Sequence, residues 1–350
     1  MGRKFRNKVK KYLENHLVLY SFYRVITNRK DTEYLETASQ KYKPNSYRLL
    51  RDDIGFDNDR SVYFISYEWE DNGFFAIMRK CLSGCVIADS LGMQPYVNIE
   101  NSLYNVPGGY NGTNNVFEYY FRPLINADAG KVLATENCFA ATYDHIIRLN
   151  RSFGLANDTD TYSEYVLSDD YLRRLAASYR KYFVLKEDIE KSVRSGISDI
   201  LGDSRTLGVH YRGTDFAKGL DGHPVGSTVE QYFERIDEAI SSGFTKIFLA
   251  TDDEGALKAF RERYPDMIIC YSDAVRSDGE EGVHHETRDR KDDQYYMGFE
   301  VLRDMCTLSE CDGLIAGLSQ VSIFARIKKM SEGKEFSYMN IINNGIKACS

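Results

Sequence analysis

Apolar positions fall into short runs whose period switches between two and about three and a half along the chain. Ser61 to Tyr67 alternates and is rich in aromatics, which predicts a strand, and Asp71-Asn72-Gly73 is a turn signal. Phe75, Met78, Leu82, Cys85, Val86 and Leu91 then recur mostly at helical spacing, predicting a helix over 74–92 that Gly92 stops. Pro95 to Ile99 predicts the next strand, completing a β–turn–α–β unit of a layered α/β domain. Residues 100–115 are rich in Asn and Gly and predict a surface loop. From Ser168 to Leu201 the pattern is helical, with Tyr171, Leu172, Leu175, Tyr179, Tyr182 and Phe183 in one stripe and Ser168 placed to cap it.

The second half alternates strictly. Leu207–Tyr211, Lys246–Thr251, Met267–Tyr271 and Gly313–Ala316 predict strands, and Val229–Ile240, Glu254–Tyr264, Tyr296–Ser309 and Ser319–Met330 predict helices. Short apolar strands between helices of ten or more residues make a parallel sheet covered on both faces. Ligands of such sheets bind beyond the carboxyl ends of the strands. At 350 residues the chain is too long for one ordinary core. The pattern divides it into a segment 1–58, an α/β domain 59–165, connecting helices 166–201 and a second α/β domain 202–350.

Net charge is −7, which argues against broad nucleic-acid binding, since that needs a basic face. Residues 1–30 are the exception, with nine Lys or Arg and one acid, Glu14. Phe5, Val9, Tyr12 and Leu13 share a stripe among those basic residues. Such a helix either lies on an anionic membrane surface, through residues 3–30, or docks on the globule as a solvated helix. No apolar run reaches the ~18 residues of a membrane span, and no secretory signal is evident. A cytoplasmic protein, peripheral to a membrane at most, is therefore expected. The seven cysteines show no disulfide spacing, and Cys81 and Cys85 lack the His or second Cys pair that would complete a metal site. The sequons at Asn111, Asn150 and Asn157 then carry no consequence.

Unusual polar residues follow the predicted strands. Leu207–Tyr211 leads into His210-Tyr211-Arg212-Gly213-Thr214-Asp215, where an arginine presents a planar charged fork suited to phosphate oxygens. Lys246–Thr251 leads into Asp252 and Asp253. Gly313–Ala316 leads through Gly317 to Ser319-Gln320-Val321, where the free N–H groups of a helix start and a Ser hydroxyl form an anion site. Each piece has a plain structural alternative: Arg212 in an ion pair, Ser319 as an N-cap, Asp252 and Asp253 capping the next helix. Their shared position after consecutive strands is what favours one site for an anionic ligand.

The order and wording of these motifs resemble the GDP-fucose-dependent fucosyltransferase superfamily, which includes the α1,6, rhizobial nodulation, α1,2 and protein O-fucosyltransferases. Its His-x-Arg-x-x-Asp hallmark is matched by His210, Arg212 and Asp215. Thr-Asp-Asp is matched at Thr251-Asp252-Asp253, an Asp before Leu-Ser at Asp304, Leu308 and Ser309, and Ser-Gln-Val at Ser319-Gln320-Val321. The match covers about residues 205–330, and Asn72-Gly73 is similar to the glycine-rich loop of the N-terminal domain. The resemblance implies two Rossmann-like domains facing a cleft, with an inverting, metal-independent transfer of fucose from GDP-fucose to a glycan or glycolipid hydroxyl. No cofactor is implied beyond the co-substrate. Arg212 would hold the β-phosphate, Asp304 would read guanine, Ser319 and Gln320 would hold phosphate, and His210, Asp215, Asp252, Asp253 and Gly73 would border the donor.

There are departures. The α1,6 enzymes carry a second Arg where this chain has Gly213, and a Glu in the stretch occupied here by Phe216 to Pro224, which has none. Asp221 and His223 are the candidates for the missing base. Asp158-Thr159-Asp160 is a rival signal, since other glycosyltransferases hold a divalent cation with such a pair, although its polar surroundings read as a solvated loop. A transferase using another nucleotide sugar, or a binding protein of the same fold without catalysis, stays open.

Overall fold

The computed structural model describes residues 61–66, 72–133, 138–141, 165–213, 222–277 and 289–347, with Leu19, Tyr23, Ile26, Thr27, Arg29 and Lys30. The proposed amphipathic stripe of residues 3–30, the pair Asp158 and Asp160, and the candidates Asp215 and Asp221 lie outside the described residues. Among the described residues no helix is long and apolar enough to cross a membrane.

Two parallel sheets organise the chain. In the first, β1 (Val62–Ser66) lies between β2 (Gln94–Asn98) and β3 (Cys138–Ala141). Val62, Tyr63, Phe64 and Ile65 are all buried, as expected of a strand covered on both faces. Helix α1 (Phe74–Ser90) joins β1 to β2 and approaches the sheet closely at Gly84, where a Cβ would stand 2.8 Å from Ile65 Cδ1. Two short helices, α2 (Phe117–Tyr120) and α3 (Ala129–Leu133), follow β2. Helices α4 (Asp169–Tyr182) and α5 (Glu187–Leu201) lead to the second sheet.

That sheet contains β4 (Thr206–Tyr211), β5 (Lys246–Thr251), β6 (Ile268–Ile269), β7 (Gly313–Gly317) and β8 (Tyr338–Ile342), in the order β6-β5-β4-β7-β8. All neighbours pair in parallel. The connecting helices are α6 (Val229–Ser241), α7 (Glu254–Arg263), α8 (Asp293–Glu310) and α9 (Gln320–Ser331). Side-chain alternation sorts them between two faces. Leu207, Val209, Ile247, Leu249 and Ile315 pack with Tyr232 and Ile236 of α6 and Leu257 and Phe260 of α7. Phe248, Ala250, Leu314 and Ala316 join the larger cluster formed with α8, α9, α4 and α1, which continues to Tyr63 and Ile65 of the first sheet. The second sheet is thus doubly wound, and its strand order reverses between β4 and β7.

The two sheets share that apolar cluster, and aromatic contacts lock it. Phe75 of α1 meets Phe324 of α9 with ring centroids 4.7 Å apart. Tyr120 enters a notch at Gly298 on α8 and donates its hydroxyl to the Tyr295 carbonyl at 2.7 Å. The Tyr295 ring stacks on Tyr110, from the Asn- and Gly-rich loop, at 3.9 Å.

Several elements differ from the sequence expectation. The single helical stretch Ser168–Leu201 is two helices. It breaks at 183–186, where Arg122 N–H donates to the Val184 carbonyl and Lys186 N–H to the Tyr120 carbonyl. Strand β6 keeps two residues of the expected Met267–Tyr271, because it lies at a sheet edge with one partner. Helix α8 begins three residues earlier than Tyr296, after Asp292 at φ 55°. Strands β3 and β8 were not anticipated. The expected loop 100–115 is irregular but anchored, with Tyr104, Val106 and Asn115 buried.

A Cβ at position 298 would overlap the Tyr120 hydroxyl and lie 2.9 Å from its Cζ. Gly298→Ala should therefore lower stability by about 1–3 kcal/mol through overpacking. Tyr120→Phe removes the atom in closest conflict, so the double variant should lose less than the sum of the two single losses. Urea unfolding of all four proteins measures this, and strict additivity would show that the notch does not lock the sheets.

Candidate functional site

The carboxyl ends of β4 and β7, where the strand order reverses, are the expected ligand crevice of a doubly wound sheet. The crowded face of β4 is set by Gly208. A Cβ there would lie 3.1 Å from Leu308 Cδ2 and 3.2 Å from Cys311 Cβ, so α8 lies directly against the strand. His210 and Arg212 follow Gly208 on the same face by the two-residue alternation of a strand. Helix α8 runs opposite to β4. Asp304, one turn (about 5.4 Å) before Leu308, therefore stands about level with His210, two strand residues (about 6.6 Å) beyond Gly208.

One carboxylate positions the arginine. Asp252 Oδ2 lies 2.6 Å from Arg212 Nη1, and its Oδ1 accepts the Gly213 N–H at 3.2 Å. The pair is mostly enclosed, with side-chain exposures of 25% and 13%, so it is screened less than a surface pair. Asp253, the next residue, turns the other way: its Oδ1 accepts the Ala256 N–H at 2.8 Å and caps α7. The two acids that looked equivalent in sequence thus separate into a holder of Arg212 and a helix cap. Asp253 also explains Gly213, because any Cβ there would overlap its carboxylate.

Across the crevice, Ser319 caps α9. Its Oγ accepts the Ser322 N–H at 3.1 Å and shares a hydrogen bond with His210 Nδ1 at 3.2 Å. This contact ties β4 to the start of the helix after β7. Burial lowers the His210 pKa to about 4, with Arg212 adding to the fall and Asp252 opposing it, so the ring is neutral at physiological pH. Gln320, the first residue of α9, is buried beside this contact.

Asp304 is the unusual group. The residue keeps some exposure, yet protein crowds its carboxyl, and loss of solvation pushes its pKa up to about 7. Arg303 and Arg276 draw it down, and Glu300 and Asp273 add to the rise. No hydrogen bond reaches its carboxyl from the described residues. Among the described residues Asp304 is therefore an acceptor without a donor, on the α8 side of the crevice.

The structure brings together His210, Arg212, Asp252, Ser319 and Gln320, with Asp304 on α8 about level with His210. His223 sits on a separate bracket. Its carbonyl accepts the Lys347 N–H at 2.9 Å, Gly222 N–H donates to the Lys347 carbonyl, and Val225 N–H donates to the Gly345 carbonyl, beyond the end of β8. Gly73 is the extended N-cap of α1, with nothing within 4 Å of a built Cβ, and the first N–H of that helix donates to the Tyr104 hydroxyl at 2.8 Å. Sequence reasoning passed over the strap after β6, Tyr271 to Ser277. Its polar run at a strand end was the same signal that marked the other loops. Among the described residues no three His, Cys, Asp or Glu side chains gather as they would around a metal ion.

The Asp304 environment sets a pH dependence. Because the folded-state pKa lies above the unfolded value of about 3.9, the native state holds a proton that the unfolded chain has released. This carboxyl's contribution to stability therefore falls as pH rises from 4 to 7 and levels off above. Asp304→Asn keeps the shape and never ionises. Relative to the native protein, it should gain stability steadily between pH 4 and 7 and no further above. Urea midpoints across that range test this, and a constant difference would show an unperturbed carboxyl.

No family model matches the chain, and no curated protein matches it in sequence. Solved structures are similar at low identity. The NodZ alpha-1,6-fucosyltransferase co-crystallised with GDP shares 15% identity over 78% of this chain and 92% of that chain, at a TM-score of 0.46. The fucosyltransferase NodZ from Bradyrhizobium shares 15% over 77% and 92%, at 0.46. POFUT1 in complex with GDP-fucose shares 11% over 84% of this chain and 100% of that chain, at 0.49.

Proposed function

We propose that the protein is a glycosyltransferase that binds a guanine-nucleotide sugar, GDP-fucose, at the β4–β7 crevice and transfers the sugar to a glycan or glycolipid hydroxyl. The observation that carries this reading is the polarity of the crevice. The Arg212 fork, held by Asp252, and the start of α9 lie on either side of the point where strand order reverses, and the acceptor Asp304 stands on α8 about level with His210. Donors at the strand and helix ends with a separate acceptor on α8 suit a nucleoside diphosphate, with its phosphates on Arg212 and α9 and its base at Asp304. The motif order from His210 to Gln320 supports the sugar and the superfamily, and with them a second Rossmann-like domain facing the cleft on the side of the first sheet.

In this mechanism the acceptor oxygen displaces the nucleoside diphosphate at the anomeric carbon in one inverting step. Negative charge develops on the leaving phosphate oxygen, where Arg212 is most useful. A fork preorganised by Asp252 stabilises that charge more than it stabilises bound substrate. Such an arginine supplies the positive charge that a metal ion would otherwise bring, which is the basis for proposing a metal-independent reaction. The proton of the attacking hydroxyl passes to a base from the 216–224 loop, Asp221 or His223. Residues 3–30 would keep such an enzyme near an anionic membrane face if its acceptor is a glycolipid. The absence of Glu from the 216–224 loop favours one second reading, a nucleotide-sugar-binding protein without transfer.

Release of GDP from GDP-fucose, compared with hydrolysis of UDP- and CMP-sugars, needs no acceptor and separates these readings. GDP-fucose should be cleaved preferentially, also in excess EDTA. Arg212→Lys keeps the charge but loses the fork, so it should slow cleavage by about 100-fold or more with an unchanged melting temperature. A near-native rate with reduced stability would make Arg212 a structural partner of Asp252. Tight GDP-fucose binding without cleavage would favour the binding protein.

A further inference from the structure

Three arginines border the strap Tyr271–Ser277, and their partners differ. Arg303 gives its fork to Asp273 at 2.9 and 2.7 Å and lies 3.7 Å over the Tyr271 ring. Arg290 is held by Asp293 at 2.8 Å and by Glu300. Each of these has an acid in contact. Arg276 instead donates to two carbonyl oxygens of its own strap, Ala274 at 3.1 Å and Tyr271 at 3.0 Å. Its buried Nε–H finds no acceptor among the described residues, and no described carboxylate lies within ion-pair distance.

The strap itself is fixed. Ser277 N–H donates to the Asp252 carbonyl at 2.8 Å, and the Ser277 carbonyl accepts Glu254 N–H at 3.0 Å. Val275 N–H donates to Glu300 Oε2 at 3.4 Å. Arg276 is therefore carried between Asp252, which holds Arg212, and the face of α8 that presents Glu300 and Asp304. Its charge is among the influences that draw the Asp304 pKa down, and no hydrogen bond joins the two side chains among the described residues.

A carboxylate only accepts and a guanidinium only donates. Among the described residues the Arg276 Nε–H has no acceptor and the Asp304 carboxyl has no donor. A planar edge with two adjacent N–H groups beside a carbonyl oxygen would satisfy both. Guanine offers that edge in its 2-amino group, N1–H and O6. Adenine reverses it, with an acceptor at N1 beside an amino donor. Uracil offers a single N–H between two carbonyls.

We propose that Arg276 is a base-reading residue that donates to the O6 side of guanine while Asp304 accepts from N1–H and the 2-amino group. This rests on the guanine-nucleotide reading above and adds to it a specificity residue from a strap outside the motifs. The strap carbonyls hold the guanidinium in place before the base arrives, so little side-chain freedom is lost on binding.

Calorimetry of GDP, IDP and ADP with the native protein, Arg276→Met, Arg276→Gln and Asp304→Asn tests it. IDP keeps O6 and lacks the 2-amino group. Arg276→Met should weaken GDP and IDP equally, on the order of tenfold or more, and leave the weak ADP affinity unchanged. Arg276→Gln keeps an N–H donor and should recover part of the loss. Asp304→Asn should weaken GDP more than IDP. Equal losses for GDP, IDP and ADP in Arg276→Met would place the guanidinium on the diphosphate, or show a loosened strap, and overturn the proposal. So would an unchanged GDP affinity. A GDP preference that depends on Asp304 and not on Arg276 would overturn this inference alone, whereas a native protein without preference for GDP over ADP would overturn the guanine reading with it.

Discussion

Strand β4 is hydrogen-bonded to a parallel neighbour on each side, β5 and β7, and this pairing fixes which side chains emerge at its end. A one-residue slip would exchange the two faces of the strand. Leu207 and Val209 would leave the α6–α7 core, and Gly208 would no longer admit Leu308. The register that buries those residues is therefore the register that aims His210 and Arg212 along α8. The same alternation on β5 sends Asp252 to Arg212 and Asp253 to the cap of α7. Packing and site geometry are one constraint seen from two ends of a strand.

The crevice balances charge unevenly. Arg212, Arg290 and Arg303 each meet an acid, which holds the fork in place at the cost of part of its field. Among the described residues Asp304 and Arg276 have no such contacts, one an acceptor and the other a donor. Desolvating a carboxylate without a hydrogen bond is unfavourable, and the raised Asp304 pKa expresses that cost. Strain of this kind persists where a ligand relieves it. Neutral His210, bonded to Ser319, adds no charge and joins the two ends of the crevice.

The second sheet was legible in the sequence because each of its central strands is a short apolar run followed by a helix with clear caps. Ser319 and Asp253 are helix caps in the structure, as their positions before apolar helical patterns allowed. The edges were less legible. Strand β6 has one partner and pairs through two residues, and β8 lies where a short run gave no period. The break between α4 and α5 was hidden because Val184 and Leu185 continue an apolar stripe while their backbone bonds to 120–122. In the crevice, the motifs named the strand ends but could not separate Asp252 from Asp253, which differ only in the face they take. Arg276 was invisible for another reason: its meaning lies in having no acid beside it among the described residues, and that is a property of three-dimensional neighbours.

The central claim is that a guanine nucleotide occupies the carboxyl end of the second sheet on the face covered by α8 and α9. Hydrogen–deuterium exchange with and without saturating GDP measures this directly. The account predicts slowed exchange in 208–213, 271–277, 300–308 and 318–322, with α6 and α7 on the opposite face unchanged. Protection confined to α6 and α7, to the first sheet, or to the stretch around Asp158 and Asp160 would contradict it.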